Sequence, residues 1–255
     1  MSGDVSTLAG LLWDAEEQRR ATAQLTAATP DLDVATAYEV QRVGFERRLA
    51  EGDTFLGYKL GLTSRAKQVA MGVDAPLWGR LRAGLLHDEE EPLAVEGLIH
   101  PRVEPEIAFL LGADVDGRTA TTASVLAATR GLFPALEILD SRYEDFRFTL
   151  PDVIADNASA AGVVCGGRLL DPSALDPQLE GMVLRRDGEV VETAAGAAVS
   201  GHPANAVAWL ARQAGGLAAG ALVLSGGLTA PVALAPGMTV TAEFTHLGSV
   251  TLRAA

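Results

Sequence analysis

Apolar residues return at helical spacing between Val5 and about Gly52: Leu8, Leu11 and Leu12, then Ala37, Val40, Val43 and Phe45. Thr29-Pro30-Asp31 breaks the pattern, which predicts two helices with a turn between them. Beyond Gly52 the texture changes. Residues 54–61, Thr-Phe-Leu-Gly-Tyr-Lys-Leu-Gly, are rich in strand formers and interrupted by glycine, which predicts a strand whose backbone is approached closely.

An acidic connection, His87-Asp88-Glu89-Glu90-Glu91-Pro92, leads into two short strand-like runs at 98–103 and 107–111, with Asp116-Gly117 as a turn. The charge run Glu89 to Glu91 reads as a solvated loop. Residues 122–130 carry helical spacing and precede an apolar strand candidate at 133–139. Residues 181–191 form a hairpin pattern with Asp187-Gly188 in its turn. Residues 203–215 read as a helix with Ala206, Val207, Trp209 and Leu210 on its apolar face. The closing segments 222–224, 232–234, 238–244 and 249–252 read as strands. Helices first and strands later place the chain in the α+β class, with a helical N-terminal region (1–52) packed on a β-rich catalytic core (53–255). No repeat of fixed period is found.

Composition narrows the setting. At 255 residues and 48% hydrophobic, the chain suffices for one large core. A net charge of −13 repels phosphate backbones and anionic lipid surfaces, so neither nucleic acid nor membrane is an expected partner. The lone Cys165 forms no internal disulfide, fits a reducing compartment, and reads as a core residue beside Val163 and Val164. The acidic first twenty residues lack a secretory signal, and every apolar stretch is broken before the roughly 20 residues that span a bilayer. A soluble, cytoplasmic protein is expected.

The candidate chemistry begins at Val103-Glu104-Pro105-Glu106-Ile107, where two carboxylates two residues apart on an extended segment share one face. The flanking apolar residues imply burial, and like charges are tolerated there when a cation sits between them. Glu137 lies inside an otherwise apolar run, Ala135-Leu136-Glu137-Ile138-Leu139. Two readings follow. Glu104, Glu106 and Glu137 hold a hard cation, Mg²⁺ or Mn²⁺ rather than Zn²⁺, since no Cys or His accompanies them; or Glu104 and Glu106 face solvent on an edge strand while Glu137 pairs with an arginine.

Several motifs stand in register along nearly the whole chain: Gly57-Tyr58-Lys59-Leu60-Gly61-Leu62-Thr63-Ser64, Gly72-Val73-Asp74-Ala75-Pro76, residues 100–109 around the two acids, Pro134-Ala135-Leu136-Glu137-Ile138, Asp156-Asn157-Ala158-Ser159, and Leu224-Ser225-Gly226-Gly227-Leu228-Thr229. Together they resemble the 2-keto-4-pentenoate hydratase and 4-oxalocrotonate decarboxylase family of the fumarylacetoacetate hydrolase superfamily. The resemblance implies a mixed β-roll core with a helical N-terminal part, and Mg²⁺ or Mn²⁺ held by Glu104, Glu106 and Glu137. It implies an active-site role for Lys59 and substrate carboxylate binding by Ser159, and it places Gly226, Gly227 and Thr229 at the pocket. It also implies a homo-oligomer, or a hetero-complex with a sister hydratase or decarboxylase. Arg142 is read as a partner of Glu144 or Asp145, the other reading being a binder of a second carboxylate.

Hydratases of this family carry an acid after the proline of a motif resembling Gln-Pro-Asp-Phe-Gly, whereas this chain has Ala75-Pro76-Leu77-Trp78-Gly79. Leu77 carries no proton, which favours decarboxylation of a small 2-oxo acid such as 2-oxo-3-hexenedioate over hydration of 2-hydroxypenta-2,4-dienoate. Leu77 and Trp78 are then expected to line the pocket and desolvate the leaving carboxylate. Hydrolysis of an acylpyruvate would need an activating histidine, and neither His87 nor His100 stands in such a motif. A non-catalytic metal-binding partner subunit is the remaining reading, which retention of Lys59 and the three acids opposes.

Overall fold

The computed structural model describes residues 4–255. Asp4 caps the first helix, α1 (Val5–Glu17), by accepting from the Ser6 amide, and Asp33 caps the third, α3 (Val34–Ala50), by accepting from the Thr36 amide at 2.7 Å. A one-turn helix, α2 (Leu25–Ala28), fills the predicted break. Leu8, Leu12, Ala37 and Val40 turn their apolar stripe toward Val153, Ile154 and Ala155 of α6 (Leu150–Ala155), so the N-terminal helices bury their faces against the body of the protein.

Three sheets follow. The largest is mixed, in the order β2 (Leu77–Arg82), β1 (Phe55–Gly61), β11 (Leu222–Leu224), β4 (Arg102–Leu111), β6 (Thr129–Leu139), β7 (Ala160–Cys165) and β3 (Leu86–His87), with β12 (Val232–Ala233) also on β4. β1 and β11 run parallel, as do β3 and β7; the other neighbours are antiparallel. A four-stranded sheet, β14 (Gly248–Arg253), β13 (Thr239–Phe244), β8 (Gly181–Arg186) and β9 (Glu189–Ala195), packs over β6 and β7. A short ribbon joins β10 (Gly216–Leu217) to β5 (Val115–Asp116). The helices α4 (Arg65–Met71), α5 (Thr122–Ala128) and α7 (Pro203–Ala214) complete the chain. Between the sheets, Val103, Ile107, Phe109, Leu136, Ile138, Leu184, Val240 and Val250 form the main core, each buried side chain contributing about 1.5–3 kcal/mol.

Two predicted segments come out differently. The runs at 98–103 and 107–111 belong to one ten-residue strand, β4, which continues through Pro105. Its neighbours explain how. β11 pairs with residues 108–110 and β12 with 102–103, leaving a gap opposite 104–107. The Pro105 carbonyl accepts from the Leu228 amide at 2.9 Å on the gap side, so the missing N–H of proline falls where no ladder bond is needed. The helix predicted to Arg130 stops at Ala128, where the Thr129 hydroxyl donates to the Val125 carbonyl at 2.7 Å and β6 begins. The helix at 203–215 ends as expected, with Pro203 in its first turn and Gly215 left-handed at φ 80°.

Candidate active site

The gap between β11 and β12, opposite residues 104–107 of β4, is where the acids stand. Glu104 and Glu106 leave the same face of the strand, and the register sets Glu137 of β6 directly opposite Glu104. All three are buried, and one carboxylate oxygen of each lies within 4.8 Å of the others. The chain joining β11 to β12 passes over them. Gly226, at φ 112°, donates its amide to Glu106 Oε2 at 2.6 Å, and a Cβ at Gly227 would stand 2.0 Å from Glu104 Oε2, so the close approach requires glycine.

The protein contains two lysines, and both are here. Lys59 Nζ lies 3.0 Å from Glu137 Oε1, without hydrogen-bond geometry, and donates to the Ala158 carbonyl at 2.9 Å. Lys67 Nζ donates to Glu104 Oε1 at 2.8 Å. Two positive charges therefore face three carboxyls. Burial first, and then the neighbouring Glu137, pushes the Glu106 carboxyl well above its ordinary range. Burial also raises Glu137, against the pull of Lys59. Glu106 Oε1 and both Glu137 oxygens have no hydrogen-bond partner among the described residues. Orphaned buried carboxylate oxygens converging in an all-oxygen set are what a hard divalent cation requires, so the residues present fit Mg²⁺ or Mn²⁺. The alternative in which Glu104 and Glu106 face solvent and Glu137 meets an arginine does not occur.

In front of the acids lies a cavity of about 360 Å³ whose lining includes Lys59, Lys67, Leu77, Arg102, Glu104 and Ser159, and on its apolar side Leu139, Phe146 and Phe148. Leu77 enters as expected. Trp78 does not: adjacent strand residues point to opposite faces, and its ring stacks on Tyr38 at 4.9 Å and meets Tyr58 edge-on at 5.7 Å. Gly226 and Gly227 back the acids. The Thr229 hydroxyl donates to its neighbour's carbonyl at Ala230, and it is Ala230 and Pro231 that line the cavity. Neither His87 nor His100 lines it. Lys67, Arg102 and the Phe146–Phe148 pair escaped the sequence reading; the one available signal was that a chain with so few lysines has its second one eight residues after the first. Arg102 lies 3.9 Å over the Phe146 ring.

Arg142 departs from both readings of it. It is buried, it pairs with Asp156 rather than Glu144 or Asp145, and it lies outside this cavity. Its Nε donates to Asp156 Oδ1, Nη2 to the Asp156 carbonyl, and Nη1 to the Ala160 carbonyl at 3.3 Å. The sequence could not supply this, because the partner is fourteen residues away, at the far end of α6. The turn that follows Asp156 holds three successive left-handed residues, Asn157 (φ 50°), Ala158 (φ 55°) and Ser159 (φ 58°), none of them glycine, at a cost of about 1–2 kcal/mol each. The Asn157 side chain is bound at both ends to the backbone of Arg80: Oδ1 accepts from its amide at 2.8 Å and Nδ2 donates to its carbonyl at 2.9 Å.

The profile of the fumarylacetoacetate hydrolase C-terminal family matches residues 80–254. A 4-oxalocrotonate decarboxylase from Pseudomonas sp. is 42% identical over 96% of this chain and 96% of its own length. A 2-keto-4-pentenoate hydratase from Paraburkholderia xenovorans is 40% identical over 94% of this chain and 90% of its own. The structure of 4-oxalocrotonate decarboxylase from Pseudomonas putida G7, complexed with magnesium and adipate, superposes with a TM-score of 0.95 at 37% identity, covering 98% of this chain and 97% of that one. The chain thus belongs to the fumarylacetoacetate hydrolase superfamily, in the family of the 4-oxalocrotonate decarboxylases and 2-keto-4-pentenoate hydratases.

Proposed function

We propose that the protein is a divalent-metal-dependent lyase that decarboxylates 2-oxo-3-hexenedioate or a close analogue, a reaction of aromatic ring-cleavage products. The observation that favours decarboxylation over hydration is Leu77. It lines the cavity and abuts Gly61, where a Cβ would lie 2.8 Å from Leu77 Cδ1 and 4.0 Å from Lys59 Nζ. The wall beside the ammonium is therefore apolar, where a hydratase of the family carries an acid.

Glu104, Glu106 and Glu137 would hold Mg²⁺ or Mn²⁺, which supplies a Lewis acid to the 2-oxo acid end of the substrate. As the distal carboxylate departs as CO₂, its bonding electrons pass through the conjugated chain and negative charge develops on the 2-oxo oxygen. The Lys59 ammonium opposes that charge and donates the proton that completes 2-hydroxypenta-2,4-dienoate. Ser159 hydrogen-bonds the retained carboxylate. Leu77, Leu139 and Phe148 keep water from the chain, so the electrostatic contribution of Lys59 acts in a medium of low polarity.

Ultraviolet absorbance tests this directly. With Mg²⁺, the protein should consume 2-oxo-3-hexenedioate and release CO₂, EDTA should stop it, and a parallel sample of 2-hydroxypenta-2,4-dienoate should persist. Consumption of the second compound alone, giving 4-hydroxy-2-oxopentanoate, would establish the hydratase instead. Assembly as a homo-oligomer, or with a sister hydratase, rests on the family likeness and is tested by light scattering of the protein alone and mixed with that partner.

A further inference from the structure

We infer that Arg142 and Asn157 are positioning residues that set the Lys59 ammonium by clamping the left-handed turn at 157–159. The inference rests on the role of Lys59 in the proposed reaction, although its geometric part stands apart from it. Neither residue lines the active-site cavity. Arg142 instead holds the entry and Asn157 the centre of a turn that the backbone of an ordinary residue adopts only when the surroundings over-determine it.

Arg142 grips the entry, with Nε on the Asp156 carboxylate and Nη2 on the Asp156 carbonyl, while its own amide donates to Asp156 Oδ2 at 3.2 Å. Asn157 sews the centre to β2 through both bonds to Arg80, and its carbonyl fills the space above Gly79, where a Cβ would lie 2.6 Å from it. The exit is fixed by the Ser159 carbonyl, which accepts from the Asp140 amide at 2.9 Å. What these anchors present to the cavity is one acceptor, the Ala158 carbonyl, 2.9 Å from Lys59 Nζ. With Glu137 on its other side at 3.0 Å, the ammonium is held between two oxygens. If the turn relaxed to a right-handed path, that carbonyl would swing away and Lys59 would be left with Glu137 alone. Ser159 would leave the cavity wall by the same motion.

Because the protein has two lysines, labelling with ¹³Cε-lysine gives one resonance for Lys59 and one for Lys67. The experiment compares wild type with Asn157→Ala and with Arg142→Lys, both Mg²⁺-loaded, by that spectrum and by steady-state turnover of 2-oxo-3-hexenedioate. Asn157 is only half-buried, so its truncation leaves the core intact. Asn157→Ala should lower kcat about 10- to 100-fold with KM within about threefold, since displacing a positioned group by about an ångström costs that much. The Lys59 resonance should move while the Lys67 resonance stays. Adding Ala158→Gly to Asn157→Ala should recover most of the loss, because glycine adopts the left-handed conformation without the clamp. Arg142→Lys should repeat the pattern more weakly.

The inference is overturned if both variants keep kcat within about twofold of wild type, if both lysine resonances move together as in general loosening, or if glycine at 158 recovers nothing. If wild type does not turn the substrate over at all, the proposed reaction fails. The spectrum then decides the clamp separately: a shift confined to Lys59 sustains it, and an unmoved Lys59 refutes it.

Discussion

Glu106 is buried on a face it shares with two other acids, and one of its oxygens has no partner. Glu106→Gln keeps the shape and removes one negative charge from the candidate cation site. Calorimetric titration should show Mg²⁺ affinity falling at least about 100-fold, and turnover should fall with it; retention of wild-type affinity would remove Glu106 from the ligand set. Much of this site was legible at the level of single residues. The two-residue period of β-structure put Glu104 and Glu106 on one face, whereas the meeting with Glu137 depends on the register of β4 with β6 and stood in the sequence only as one of two readings and through the family resemblance. Trp78 was misplaced by the same period, because one residue of offset from Leu77 sends it to Tyr38 instead of the cavity. Cys165, expected in the core, is half-buried and packs against the edge of an apolar cluster, where burial pushes its thiol up to about 12.

Among the elements, the joint between α2 and α6 turns on one buried carboxylate. Asp152 accepts from the Thr26 amide at 2.9 Å and hydroxyl at 2.8 Å, and from the Thr149 amide at 2.9 Å and hydroxyl at 2.7 Å. Removing it leaves four donors unmatched. Asp152→Ala should destabilise the protein by about 2–4 kcal/mol, read as a lower urea midpoint at unchanged slope. A loss under about 0.5 kcal/mol would mean that water replaces the carboxylate. The helix over residues 203–215 was legible from its apolar spacing, and its end at Gly215 is a left-handed cap, whereas the end at Ala128 was overshot by two residues. Strand continuity through Pro105 was not legible, since it depends on a gap between β11 and β12 that no local pattern reveals. The pairing of Arg142 with Asp156 was hidden for a related reason: α6 lies between the two residues in the chain, and no local pattern reveals that they meet.

Across the whole molecule, acidity and metal should be linked. Burial, chiefly, raises Glu106 and Glu137, and lifts Asp156 to about 7 against the pull of Arg142. A carboxyl whose folded value lies above its unfolded value of about 4 contributes stability that is complete below about pH 4 and is lost as pH rises through the folded value. Metal-free protein should therefore melt lower at pH 8 than at pH 5. A cation at the triad reverses the preference of Glu106 and Glu137, so the rise in Tm on adding Mg²⁺ should grow between pH 5 and pH 8. Scanning calorimetry with and without EDTA checks this, and a Mg²⁺ effect that shrinks with rising pH would contradict it. Among the described residues no helix is long and apolar enough to cross a membrane.

Placing both lysines inside one cavity leaves every other cationic side chain of the surface an arginine or histidine, which amine-selective reagents ignore. Apart from the chain's own amino terminus, an activated ester or a lysine-specific protease thus finds nothing to attack except the pocket. Crosslinking the protein to a support through its lysines would plug the very opening a substrate must enter, so immobilisation has to go through the amino terminus, carboxyls or an added tag. Conversely, the protection of two amines during catalysis becomes a direct gauge of how much of the time that opening is filled.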